Sequence, residues 1–313
     1  MIIPGFFYLF FRRPTVTLAW SLVAANVIVF IYTQFAFSSW PSISLSEQVK
    51  DKNFSVAITE MYHQTLDPIE LNSLESVSVA EALRDHRFWK RIATFPFSGD
   101  EVQIDSTRKR LLQFQSEYFS SSQFQLGLGR VESSPWAWVT YQFTHASFFH
   151  LLGNVLIIFL LISYLETSVG LFWLISVYLF GGFGGGISYL IFEGSGSMAV
   201  VGASASAFSL MGFLMTIKSK ELMPWSYIIA PVPKGYGVIY LPVFFIFPVF
   251  IMGDFISSLW QPAGLTSSVA VSAHIGGAFV GFIMGFAYLG EKKLTQYLVR
   301  IWQIDERKLS EID

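Results

Sequence analysis

Charged residues fall in clusters along the chain, and the gaps between clusters are long enough to cross a membrane. No Asp, Glu, Lys or Arg occurs between Arg13 and Glu47, Glu132 and Glu166, Glu166 and Glu193, Glu193 and Lys218, Lys234 and Asp254, or Asp254 and Glu291. A helix needs about 20 apolar residues to cross the hydrocarbon core, and each gap holds one such stretch. The pattern predicts six spans, near 16–37, 147–166, 170–192, 199–217, 238–260 and 268–290. The first lies behind Arg12 and Arg13 and is too long and too late for a cleaved signal peptide.

Composition agrees. The 313 residues are 53% hydrophobic and 13% charged, where soluble domains carry about 25% charged residues. With 20 basic and 22 acidic residues the net charge is −2, so there is no broad basic field to hold nucleic acid. The absence of cysteine excludes disulfides, thiolate metal sites and a cysteine nucleophile.

Loop charges set an expected orientation. Arg12 and Arg13 precede the first span, Lys218, Lys220 and Lys234 lie between the fourth and fifth, and Lys292 and Lys293 follow the sixth. The opposite short loops, 193–198 and 261–267, contain no Lys or Arg. The excess of basic residues in cytoplasmic loops puts both termini, 1–15 and 291–313, in the cytoplasm. Odd-numbered spans then run outward and even-numbered spans inward. The chain is expected to be an integral multi-pass protein of a bacterial inner membrane.

Residues 38–134 are left outside, between spans 1 and 2. Their ten basic and thirteen acidic residues mark them as water-soluble. Val79–Ile92 and Arg108–Phe119 mix apolar and charged positions at helical spacing, with Phe95–Asp100 as a turn between them. A small, mostly helical external insertion is expected. It is too small for a large core of its own, so it should lean on the membrane domain. Gly181–Gly186 lacks a following Lys-Ser/Thr and sits in a lipid-length span, which points to close helix packing rather than a phosphate loop.

Polar groups in lipid are costly and ask for a reason. Span 2 opens with His145 and carries His150 and Asn154, four apart and therefore on one helix face. Span 4 contains Gly202-Ala203-Ser204-Ala205-Ser206, and span 6 contains Ala273-His274. All three spans run inward, and the polar group falls early in each, roughly 5–12 Å below the outer edge at 1.5 Å per residue. The groups can therefore share one water-reachable pocket, whose chemistry would be acyl transfer. A serine needs a base to become a nucleophile, and His274 suits that task near neutral pH. His150, the Asn154 amide and a backbone N–H near Ser204 can donate to an oxyanion. Gly277, Gly281 and Gly285 form a ridge beside His274 for close packing against Gly202, Ala205, Ser206 and Ser209. Phe208, one turn after Ser204, is placed to stack on the imidazole.

These residues resemble the rhomboid family of intramembrane serine proteases over about half the chain, roughly 135–290. The resemblance rests on His150-x-x-x-Asn154, Gly202-Ala203-Ser204, and Ala273-His274 followed by Gly277 and Gly281, in that order. It implies an all-α, six-transmembrane-helix bundle with a Ser204–His274 dyad and no third acidic member. It also implies that Ser204 starts a short helix entered from a loop, which Gly194–Ser197 fits, and that span 5 and its adjoining loop gate the substrate. Substrates would be membrane-spanning proteins cut near the outer end of a span, with no metal or organic cofactor. Ala205 departs from the family's usual Gly after the serine, which bears on rate and specificity.

Other readings attach to single residues. Ser206 is a rival nucleophile, but points about 200° away from Ser204 round a helix. His145 suits a supporting or capping role, His63 and His86 read as surface histidines, and Trp136 and Trp138 as interface anchors. Asp254 lacks the second carboxylate of an aspartyl protease and reads as a solvated or hydrogen-bonded group at the gate, while Glu166 closes span 2 beside some nearby donor. A pseudoenzyme that binds membrane helices as a chaperone or trafficking scaffold is the alternative function. A transporter would need charges or broken helices at the midplane. Oligomeric state is open.

Overall fold

A computed structural model describes residues 2–4, 17–37, 48–67, 69, 71, 78–129, 134–192, 199–228, 236–259 and 271–310. Among them, four helices are long and apolar enough to cross a membrane: Leu18–Ala36, Phe148–Leu165, Leu171–Phe192 and Val271–Arg300. They belong to α1 (Thr17–Ala36), α8 (Phe148–Leu165), α9 (Leu171–Phe192) and α12 (Val271–Ser310). The fourth and fifth predicted spans fall on shorter helices, α10 (Ser204–Lys218) and α11 (Ile246–Leu259). Helix α12 runs to Ser310, so residues 291–310 continue the last helix rather than forming a separate tail.

The chain is mostly helical, but the all-α expectation is corrected by a three-stranded antiparallel sheet. Strand β2 (Leu222–Ile228) pairs with both β1 (Ile2–Pro4) and β3 (Tyr236–Pro242). Residues 238–242, expected to begin span 5, are thus strand. The β-branched and aromatic run Tyr-Gly-Val-Ile-Tyr suits a pleated surface, and Pro242 ends it before a short 3-10 turn leads into α11.

Between α1 and α8, the described residues form six further helices: α2 (Lys52–His63), α3 (Val79–Arg84), α4 (His86–Arg91), α5 (Glu101–Phe119), α6 (Ser122–Leu126) and α7 (Ala137–Thr140). Several of these helices open on a side-chain cap. Asp51 accepts from the Asn53 and Phe54 N–H groups, Asp100 from Val102 and Gln103, and Ser78 with Glu81 forms a capping box. The expected helical stretch Val79–Ile92 is broken at Asp85, which ends α3 and caps α4. Burial opposes its charge, but hydrogen bonds from Arg87 outweigh this and hold the carboxyl below its usual range. Phe54, Ile58, Met61, Leu83, Phe88, Trp89, Leu111 and Phe114 form a separate core under these caps.

This segment does lean on the rest of the chain. Leu128 and Val200 exchange two backbone hydrogen bonds of 3.0 and 2.8 Å, and the Ala199 N–H donates to the Tyr118 hydroxyl at 2.8 Å. Trp136 is exposed, whereas Trp138 stacks on Phe183 of α9 instead of standing free at a surface. His63 is exposed and His86 half-buried.

The remaining helices meet through small residues. Any β-carbon at Gly277 would strike the Ala205 carbonyl, at Gly281 the Ser209 carbonyl, and at Gly285 the Thr216 side chain. Gly181, Gly184 and Gly185 likewise let α9 approach α10 and α12, as the packing reading of that run requires. At the other end of α8, Glu166 finds its donor: its carboxylate accepts from the Leu18 N–H at 2.9 Å and the Ala19 N–H at 3.5 Å, capping α1. Glu166→Ala removes this anionic cap and should lower stability by about 0.5–2 kcal/mol, read as a lower melting temperature in detergent, with partial recovery in Glu166→Gln.

Candidate active site

Residue Ser204 is the first residue of α10, and its approach is fixed by Gly202. That glycine has φ +123°, a conformation side-chain-bearing residues rarely adopt. Its N–H donates to the Tyr141 carbonyl at 2.8 Å. A β-carbon there would lie 2.7 Å from His150 Nε2 and 3.5 Å from Asn154 Nδ2. The Gly202-Ala203-Ser204 turn therefore passes directly over the two side chains that share a face of α8. Gly202→Ala combines backbone strain with a clash against His150. It should cost on the order of 1–3 kcal/mol, measurable as a drop in thermal stability.

His150 and Asn154 are themselves held from behind. The Ser147 hydroxyl accepts from the His150 N–H at 3.2 Å and starts α8. His145, one turn earlier, is 1% exposed; its Nδ1–H donates to the Phe143 carbonyl at 3.1 Å, and its ring meets His150 edge-on with centroids 5.1 Å apart. His145 thus supports His150 rather than reaching the turn. Asn154 is 8% exposed, and among the described residues its Nδ2 has no hydrogen-bond partner. A buried donor left unpaired costs about 1–3 kcal/mol, so its retention calls for a use.

The N-cap residue of α10, Ala203, offers no side-chain acceptor. The first N–H groups of that helix are therefore not capped from within it, and together with the helix dipole they favour negative charge at Ser204. Ser206 is on another face: it is fully buried and donates to Gln142 Oε1 at 3.2 Å. Ala205 packs its methyl with Tyr189 and Ala273 against the space left by Gly185. The methyl that departs from the resemblance is thus taken up between α9 and α12.

His274 enters from α12. Its ring lies parallel on Phe208, centroids 4.2 Å apart and planes 13° from parallel. Phe208 is four residues after Ser204, so the two share a face of α10. The His274 Nδ1–H donates to Asp254 Oδ2 of α11 at 2.6 Å. The sequence reading of Asp254 as a solvated or hydrogen-bonded group at the gate did not name this partner, and the resemblance implied no acidic member beside the imidazole. The Gly194–Ser197 loop lies outside the described residues. Four helices, α8, α10, α11 and α12, thus supply a serine, two histidines, an amide and a carboxylate, a set able to transfer a proton and stabilise an oxyanion.

Comparison with known proteins covers the same half of the chain. The Rhomboid domain description matches residues 132–291. "RHOMBOID-like protein 1" of Arabidopsis thaliana is 30% identical over 154 residues, 49% of this chain and 34% of that protein. "Rhomboid-related protein 2" of Mus musculus is 30% identical over 159 residues, 48% of this chain and 47% of that protein. "RHOMBOID-like protein 7" of Arabidopsis thaliana is 32% identical over 155 residues, 49% and 43% of the two chains. The chain spans less than half the length of these curated relatives. They are eukaryotic and lend no support to a bacterial inner membrane. With the domain matched across half its length and the motif residues gathered where that domain lies, the chain belongs to the rhomboid family.

Proposed function

We propose that the protein is an intramembrane serine endopeptidase that cuts membrane-spanning proteins near the outer end of a span. The observation that carries this reading is the parallel stack of Phe208 on His274. It sets the imidazole against Phe208, which shares a face of α10 with Ser204 one turn away, and this supports the pairing. Gly277 and Gly281 support the pairing by letting the two backbones touch.

In this reading His274 Nε2 takes the Ser204 proton as Oγ bonds to the substrate carbonyl carbon. The carbonyl π pair becomes an oxyanion, met by Asn154 Nδ2, by His150 and by the Ser204 N–H. The intermediate collapses, the C–N bond breaks, and the proton on Nε2 passes to the leaving amine. Water, deprotonated by the same nitrogen, then attacks the acyl-enzyme and frees Ser204. The chain's own groups carry every step.

The proposed topology is six crossings with both termini cytoplasmic and the 38–134 segment external. Helix α10, with 15 residues, is only about 22 Å long at 1.5 Å per residue. A crossing helix this short leaves room for water above Ser204, where hydrolysis needs it. Helix α11 is the proposed gate.

A mechanism-based serine probe tests the reading. A fluorophosphonate or chloroisocoumarin should add one label to the folded protein, mapped by mass spectrometry to Ser204 and lost in Ser204→Ala. A folded protein that takes no label would favour a helix-binding scaffold instead.

A further inference from the structure

The His274 ring has three degrees of constraint, and only two come from the catalytic helices. Packing of α12 sets its position, and Phe208 sets its plane at 4.2 Å. Rotation within that plane, and the choice of which nitrogen carries the hydrogen, are set by Asp254 through the 2.6 Å bond to Nδ1. Both partners are shielded, His274 to 7% side-chain exposure and Asp254 to 15%. A carboxylate in an apolar helix is expensive unless it is paired, and the pairing found is with the proposed base.

We propose that Asp254 is a positioning residue that makes the catalytic pair a Ser204–His274–Asp254 triad. This rests on the protease reading of the same site. The carboxylate accepts the Nδ1–H and so keeps the hydrogen off Nε2, whose lone pair is then available for the Ser204 proton. When that proton arrives, the imidazolium formed faces a fixed negative charge. The Nδ1 proton stays on nitrogen throughout, and the carboxylate gains no proton. Because Asp254 stands on α11 and His274 on α12, the base is oriented only while these two helices keep this register. Displacement of α11 would release the imidazole, so the position of that helix governs the state of the base.

Two measurements on the full-length protein in detergent test this. The first is nitrogen-15 NMR of labelled histidine near neutral pH, with His274 assigned by its loss in His274→Ala. Protonated and bare imidazole nitrogens resonate far apart, so the tautomer is read directly. Wild type should show hydrogen on Nδ1 and a bare Nε2; Asp254→Leu should shift the population towards hydrogen on Nε2. The second is steady-state cleavage of a single-span reporter. Asp254→Leu and Asp254→Asn should lower kcat by about 10²–10⁴-fold while KM stays within about threefold, and Asp254→Glu should recover part of the loss. A wild-type His274 carrying its hydrogen on Nε2 overturns the proposal, as does a kcat unchanged in both Leu and Asn variants. The NMR result needs no turnover, so it judges Asp254 even if the wild type cleaves nothing, an outcome that would sink the protease reading instead.

Discussion

Replacing Ser204 with alanine is expected to reduce cleavage of a purified single-span reporter by about 10⁴–10⁶-fold, and His274→Ala by a similar factor. Under the proposed function the two groups act as one unit, since a nucleophile without its base and a base without its nucleophile are equally idle. The double variant should therefore be no slower than either single one. Ser206→Ala is the control. Its hydroxyl is buried and committed to Gln142, so activity should persist at near wild-type rate. Robust cleavage by Ser204→Ala, or its loss on replacing Ser206, would reject the assignment. The assay compares initial rates with intact folding checked by thermal unfolding of each variant.

The second large effect is expected at the proposed oxyanion donors. Asn154→Ala and His150→Ala should each lower kcat by about 10²–10³-fold with little change in KM. The reason lies in the ground state. Asn154 Nδ2 has no partner there among the described residues, and both side chains sit under the Gly202 turn. A donor that meets its acceptor only as charge develops contributes to the barrier and not to binding. Because both would serve one oxygen, the double variant should lose less than the product of the single losses. A rise in KM at constant kcat would instead mark these residues as ground-state contacts.

Much of the site was readable in the chain because its signals are local. Four-residue spacings put His150 beside Asn154 and Ser204 beside Phe208, and the ridge of Gly277, Gly281 and Gly285 announced which face of α12 would be buried. The strands were not readable, because apolar runs of seven residues look alike whether they pair or coil. Residues 238–242 of β3 were therefore absorbed into a predicted span. The break at Asp85 was missed for a related reason: its neighbours keep helical periodicity, and only the cap reveals the stop. Asp254 was noticed as a charge in an apolar run, but its partner is 20 residues away with no repeating pattern between them. The link from Tyr118 to Ala199, 81 residues apart, left no trace at all.

Under the proposed function, that distant link changes what an unwound peptide would meet near Ser204. An extended chain commonly binds by strand addition, borrowing unpaired donors and acceptors from an exposed edge. At Val200 both are already committed to Leu128, and the neighbouring Ala199 N–H is committed to Tyr118. The main-chain groups of Val200, four residues before Ser204, are therefore closed to strand addition.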